Sequence, residues 1–128
     1  MIKDIHRRRQ LSRIRCARYL SKPSGRFRNM ITCAKRRALD QGLAFEEALY
    51  KKLSSEEHRH CACCGKELNF AANRGIDGRR KSPSLDRLRN TEGYTVKNTR
   101  VVCYRCNEVK GDASIEELRM VLQYMISE

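Results

Sequence analysis

Acidic residues, long apolar runs and glycine-rich phosphate loops are scarce or missing in this chain, and each lack narrows what it can do. Only 15 Asp and Glu stand against 28 Lys and Arg in 128 residues, a formal net charge of +13. A polyanion is therefore the natural partner. No window approaches the roughly eighteen consecutive apolar residues of a membrane span, and the opening MIKDIHRRRQ lacks an apolar signal core. The expectation is a cytoplasmic protein with no membrane partner. The absence of an internal repeat and of a P-loop-type glycine motif excludes repeat arrays and nucleotide binding of that kind. The length allows one small domain plus an arm, and such a domain is marginal without added stabilisation.

The basic charge is concentrated at one end. Residues 1–40 hold thirteen Lys or Arg and only Asp4 and Asp40 as acids, which leaves 15 basic and 13 acidic side chains for the other 88 residues. Arg7, Arg8, Arg9, Arg13, Arg15 and Arg18 alternate with Leu11, Ile14, Ala17 and Tyr19. That mixture can turn helical against a phosphate backbone but offers little apolar surface for a core. Arg pairs with phosphate bidentately, so nucleic-acid contact is expected along this arm. Pro23 and Gly25 in Lys22-Pro-Ser-Gly25 predict a break, giving an arm over 1–25 and a folded domain over 26–128.

Beyond the break, Phe27, Met30, Ile31, Ala34 and Ala38 recur at three- and four-residue steps and Gly42 follows. This predicts a helix over about 27–40 whose other face presents Arg28, Lys35, Arg36 and Arg37. Phe45, Ala48, Leu49 and Leu53 suggest a short second helix, and Asn69 to Lys81, with Arg74, Arg79 and Arg80, reads as a flexible basic loop. Near the C-terminus Ser114 and Glu117 fit a capping box, and Ile115, Leu118, Val121, Leu122 and Met125 form one apolar face. A packing helix is expected there.

Seven cysteines are present. Cys61 and Cys64 form one C-x-x-C and Cys103 and Cys106 another, with Gly65 placed where a tight knuckle needs a permissive backbone. Two such pairs in a chain without secretion signals point to a four-thiolate structural zinc site rather than to disulfides. The long spacing between them fits a hairpin looped out between two knuckles. Cys16 and Cys33 are expected to act as small apolar residues, and Cys63 sits inside the first knuckle.

The most informative stretch is Ser82 to Asp112, SPSLDRLRNTEGYTVKNTRVVCYRCNEVKGD. Leu85-Asp86-Arg87-Leu88 alternates like a short strand and runs into a turn-rich loop, Thr99 to Cys103 is rich in β-branched residues, and Tyr104 to Lys110 can be helical. The order is strand, loop, strand, helix. With the acid on the first strand, Asn98 before the second and Asn107-x-x-Lys110 on the helix, this stretch resembles the ββα-metal finger of HNH endonucleases, in particular a phage-encoded branch with DR in place of DH. The resemblance implies an α+β fold: a ββα-metal core, stabilised by the zinc site and flanked by helices and the basic arm. It implies metal-dependent hydrolysis of phosphodiester bonds in DNA, in a host cytoplasm if the chain is phage-encoded. Asp86 and Asn107 would hold a catalytic Mg²⁺ or Mn²⁺, Asn98 would orient the loop, and Lys110 would join Arg7, Arg8, Arg9, Arg13, Arg15, Lys35, Arg36 and Arg37 in contacting nucleic acid. Arg87 stands where the pattern has its His general base. It cannot accept a proton near neutral pH, so the proton is left to metal-bound hydroxide, to bulk water or to a side chain such as His58, His60 or Tyr94, and a non-catalytic binding module of the same fold is the alternative.

Overall fold

The structure, a computed structural model, describes residues 2–55, 58–71 and 75–128. Its fold is α+β. Helices α1 (Ile2–Ser21), α2 (Pro23–Gln41), α3 (Ala48–Ser55) and α4 (Gly75–Arg80) precede strands β1 (Pro83–Arg87) and β2 (Thr99–Cys103), and helices α5 (Tyr104–Lys110) and α6 (Ile115–Ile126) follow. The strands pair antiparallel, with Pro83 opposite Cys103, Leu85 opposite Val101 and Arg87 opposite Thr99. No helix among the described residues is long and apolar enough to cross a membrane.

The core is built on the α2 stripe. Phe27, Ile31, Ala34 and Ala38 lie at helical spacing and are buried against Leu49 and Leu53 of α3 and against Leu85, Val101 and Val102 of the sheet. Full burial of a side chain such as Ile31 or Leu49 contributes about 2–3 kcal/mol. At its C-terminal end α2 is closed by Gly42 in the left-handed region, whose N–H reaches the carbonyls of Ala38 and Leu39. The expected break is narrower than Lys22 to Gly25. Pro23 occupies the first turn of α2, where its missing N–H is harmless, and only Lys22 is non-helical. Gly25 is buried where the two helices meet: a Cβ there would lie 2.2 Å from the Tyr19 carbonyl oxygen. The arm itself is helical over Ile2–Ser21.

Three other expectations change. The basic loop contains α4 from Gly75 to Arg80, while Arg74 lies outside the described residues. Cys16 and Cys33 are exposed on α1 and α2, not packed as apolar residues, because both fall off the buried stripe. The C-terminal helix has its capping box, Ser114 with Glu117, but buries no residue. It leaves the core at Gly111, and its apolar side chains are exposed.

Candidate metal centre and catalytic cleft

The two knuckles come together at the start of α5. Cys61 is brought there by a turn in which its N–H donates to the Lys66 carbonyl and the Gly65 N–H donates back to its own carbonyl. The Ala62 N–H donates to the Val101 carbonyl, tying this knuckle to β2. Cys103 ends β2 and caps α5, its sulfur accepting from the Cys106 N–H at 3.4 Å. The sulfurs of Cys61, Cys64, Cys103 and Cys106 all lie within 4.8 Å of one another, Cys64 to Cys103 at 4.0 Å. Tetrahedral coordination at the usual zinc–sulfur length needs sulfurs about 3.8 Å apart, so small shifts close the set around one ion.

The electrostatics agree with that fit. Burial opposes ionisation of Cys61, but N–H groups of Cys64, Cys103 and Cys63 point at its sulfur from 3.1 to 3.5 Å and bring its pKa down to about 6. Burial pushes the Cys103 and Cys106 thiols up, and crowding by the other sulfurs raises Cys106 further. One sulfur primed as thiolate beside two that resist ionisation, Cys103 and Cys106, is a donor set that a divalent cation completes. The four cysteines thus form a site suited to a structural metal such as zinc.

The hairpin and α5 carry the second constellation. Ser84 and Asp86 are two residues apart on β1 and so share a face, and Asn107 and Lys110 are three apart on α5 and so share another. The two faces meet. Lys110 Nζ lies 3.0 Å from Asp86 Oδ1, 2.8 Å from the Arg87 carbonyl oxygen and 3.3 Å from Asn90 Oδ1. Asn107 Nδ2 donates to Ser84 Oγ at 2.6 Å. The Asp86 side chain is only 7% exposed, so its carboxylate is held by an internal cation. Asp86 and Asn107 both line a cleft of about 530 Å³, whose other walls include Arg37, Arg87 and Tyr94. A carboxylate and an amide offer hard oxygen donors of the kind Mg²⁺ and Mn²⁺ prefer, with room left for water and substrate.

Arg87 reaches this cleft with its orientation set on two sides. Its Nη1 donates to the Glu92 carbonyl at 3.2 Å, and its guanidinium carbon lies 5.1 Å from the centroid of the Tyr94 ring. Arg37 approaches the same ring at 5.8 Å and donates from Nε to the Tyr94 hydroxyl at 3.4 Å. Tyr94 is fixed by its backbone: its N–H donates to the Ala44 carbonyl, its carbonyl accepts from Glu46, and a Cβ on Gly93 would lie 2.0 Å from the Ala44 oxygen. Only glycine allows that approach. Buried Asn98 braces the loop from inside, accepting from the Arg89 N–H at 3.0 Å and donating to the carbonyls of Arg89 and Gly93 at 3.1 and 2.9 Å.

The geometry separates the other candidates. His58 packs edge-to-face on Phe27 at 5.6 Å, and exposed His60 forms a short bridge with Glu67. Neither lines the cleft, whereas Tyr94 does. Arg7, Arg8, Arg9, Arg13 and Arg15 are exposed along α1, as is Arg36 on α2. Lys35 is paired with Glu47, which raises its pKa. Lys110, grouped by sequence with the phosphate contacts, instead turns inward. Asn90 and Ser84 join the site as hydrogen-bond partners of Lys110 and Asn107. The two-residue and three-residue spacings in Ser-x-Asp and Asn-x-x-Lys are the signal that pairs them.

No family model matches this chain, and no curated protein matches it either. Among solved structures it is similar to the rare-cutting HNH restriction endonuclease PacI, at 25% identity over 75% of this chain and 72% of that one, with a TM-score of 0.48. A superposition this loose assigns nothing to the chain by itself.

Proposed function

We propose that this chain is a divalent-metal-dependent endonuclease that hydrolyses phosphodiester bonds in DNA and is held together by a structural zinc ion. The observation that carries this reading is the convergence of Asp86, Asn107 and Arg87 on one cleft in a chain of net charge +13. Asp86 and Asn107 would hold Mg²⁺ or Mn²⁺, which when bound supplies Lewis-acid stabilisation of the charge developing on the phosphate and the leaving oxygen.

The chain's own groups do the rest. Lys110 fixes the Asp86 carboxylate and Asn98 fixes the loop that carries Arg89 to Gly93. Arg87 offers a planar fork to the non-bridging phosphate oxygens, with its approach set by Tyr94 and the Glu92 carbonyl. Of the three side chains considered as proton acceptors, Tyr94, whose hydroxyl accepts from Arg37, is the one that lines the cleft, and bulk water is the alternative acceptor. Helix α1 lays Arg7, Arg8, Arg9, Arg13 and Arg15 along flanking phosphates, with residues 26–128 carrying the cleft and the metal centre.

A second reading, a zinc-containing DNA-binding module without catalysis, is favoured by two observations. The Asp86 carboxylate is already neutralised by Lys110, and an Arg stands where a general base is expected. Incubation with supercoiled plasmid separates the two readings. Nicking that appears with Mg²⁺ or Mn²⁺ and stops with chelator supports the nuclease, whereas binding without nicking under every metal condition supports the module.

A further inference from the structure

Helix α6 is apolar where a monomer has no use for it. Ile115, Leu118, Met120, Val121, Leu122, Tyr124, Met125 and Ile126 are all exposed, from 37% at Leu118 to 80% at Tyr124. Six of them, Ile115, Leu118, Val121, Leu122, Met125 and Ile126, share one face of the helix and, at on the order of 200 Å² each, leave roughly 700 Å² of contiguous apolar area uncovered. That exceeds the few hundred Å² of patch a soluble monomer usually shows, and it matches one side of a standard protein interface, about 800 Å² per partner. A helix of 12 residues is also too short to hold itself in water by propensity and a capping box alone.

The pattern on the helix says what covers it. Ile115, Leu118, Leu122 and Met125 follow the 3-4-3 spacing of a two-heptad seam, with Val121 and Ile126 beside it. Such a seam is made for another helix, and a two-fold axis lets the same seam meet itself. Charge points the same way. Residues 111–128 carry four acids and one Arg, while the rest of the chain carries a net +16, so α6 is the place where a second copy can approach without meeting the basic surface. The stripe of α1 is no match, since Arg9 and Arg13 interrupt its apolar positions.

We infer that α6 is a homodimerisation helix, packing along its Ile115–Leu118–Leu122–Met125 seam against α6 of a second copy of this chain. The dimer axis then lies close to the cleft, because Gly111 and Asp112 at the root of α6 form part of the cleft wall. This inference stands apart from the catalytic reading and survives its failure.

The test is the mass of the full zinc-loaded chain in solution by light scattering, from about 1 to 100 µM and without DNA. Twice the mass of the 14.9 kDa chain is expected at the upper concentrations. Leu118→Glu with Leu122→Glu, which places charge in the seam, should raise the dimer dissociation constant at least about 100-fold. A chain that is monomeric at 100 µM, or a dimer that the double substitution leaves intact, overturns the proposal. Should the double variant misfold, hydrogen exchange on the native chain decides: protection over 115–126 should rise with protein concentration, and protection independent of concentration overturns it.

Discussion

Replacing Lys110 with Met tests whether the ammonium is a structural cation for Asp86 or a free phosphate contact. In the native chain Nζ touches three oxygens within 3.3 Å, one of them on a carboxylate whose side chain is 7% exposed. Removing one partner of a fully buried ion pair costs about 3–5 kcal/mol. Lys110 is itself 28% exposed, so water recovers part of that penalty, and a loss of about 2–4 kcal/mol follows. For a domain of this size that is a fall in Tm on the order of 10 °C. The measurement is a double-mutant cycle with Asp86→Asn, read by urea unfolding of zinc-loaded protein without added Mg²⁺. The two changes should be coupled by about 1 kcal/mol or more, because once Asp86 is neutral the loss of Lys110 no longer strands a charge. Additivity within about 0.5 kcal/mol would refute the internal-cation argument and return Lys110 to the nucleic-acid surface.

Other consequences are open to test. Cys103→Ser removes a ligand, the cap of α5 and the N–H···S geometry at Cys61 together. It should release zinc and unfold the domain, since about 10 kcal/mol of metal binding is folding free energy here, and a native protein without tightly held zinc by elemental analysis would contradict this. Deleting residues 1–21 should weaken DNA binding alike across sequences and flatten the salt dependence by about 0.9 per lost phosphate contact, with the fold retained because α1 buries nothing in the core. An unchanged salt slope would place the arm away from DNA. Tyr94→Phe should slow cleavage at least about 10-fold, while His58→Gln and His60→Gln stay within a few fold; equal rates for all three would remove Tyr94 as the proton acceptor.

Local chemistry was legible in the sequence where it depends on spacing along one element. The α2 stripe, the capping box at Ser114, the two knuckles and the strand-loop-strand-helix order all follow from periodicity or fixed offsets, and all are present in the structure. What the sequence hid depends on how elements face one another. Lys110 reads as a basic helix residue until β1 places Asp86 beneath it, and Lys35 reads as a surface charge until Glu47 comes across from the segment before α3. His58 adjoins a knuckle in sequence yet packs on Phe27 and does not line the cleft that holds Asp86. The apolar face of α6 has the period of a packing helix, but period alone does not say whether the partner lies in the same chain. Short basic segments such as Gly75 to Arg80 also resist assignment, because their glycines argue for a loop while the backbone still closes one helical turn and a half.

The most direct test of the catalytic account is the single-turnover cleavage rate of a duplex DNA by the native chain and by Asp86→Ala, measured with Mg²⁺ or Mn²⁺ alongside DNA affinity at the same salt. The account predicts metal-dependent cleavage by the native chain, and loss of at least about 1000-fold in Asp86→Ala with affinity changed by no more than a few fold, since the carboxylate acts on the transition state rather than on ground-state binding. Cleavage by Asp86→Ala at the native rate, or no metal-dependent cleavage by the native chain on any duplex, nicked or single-stranded substrate, would contradict it.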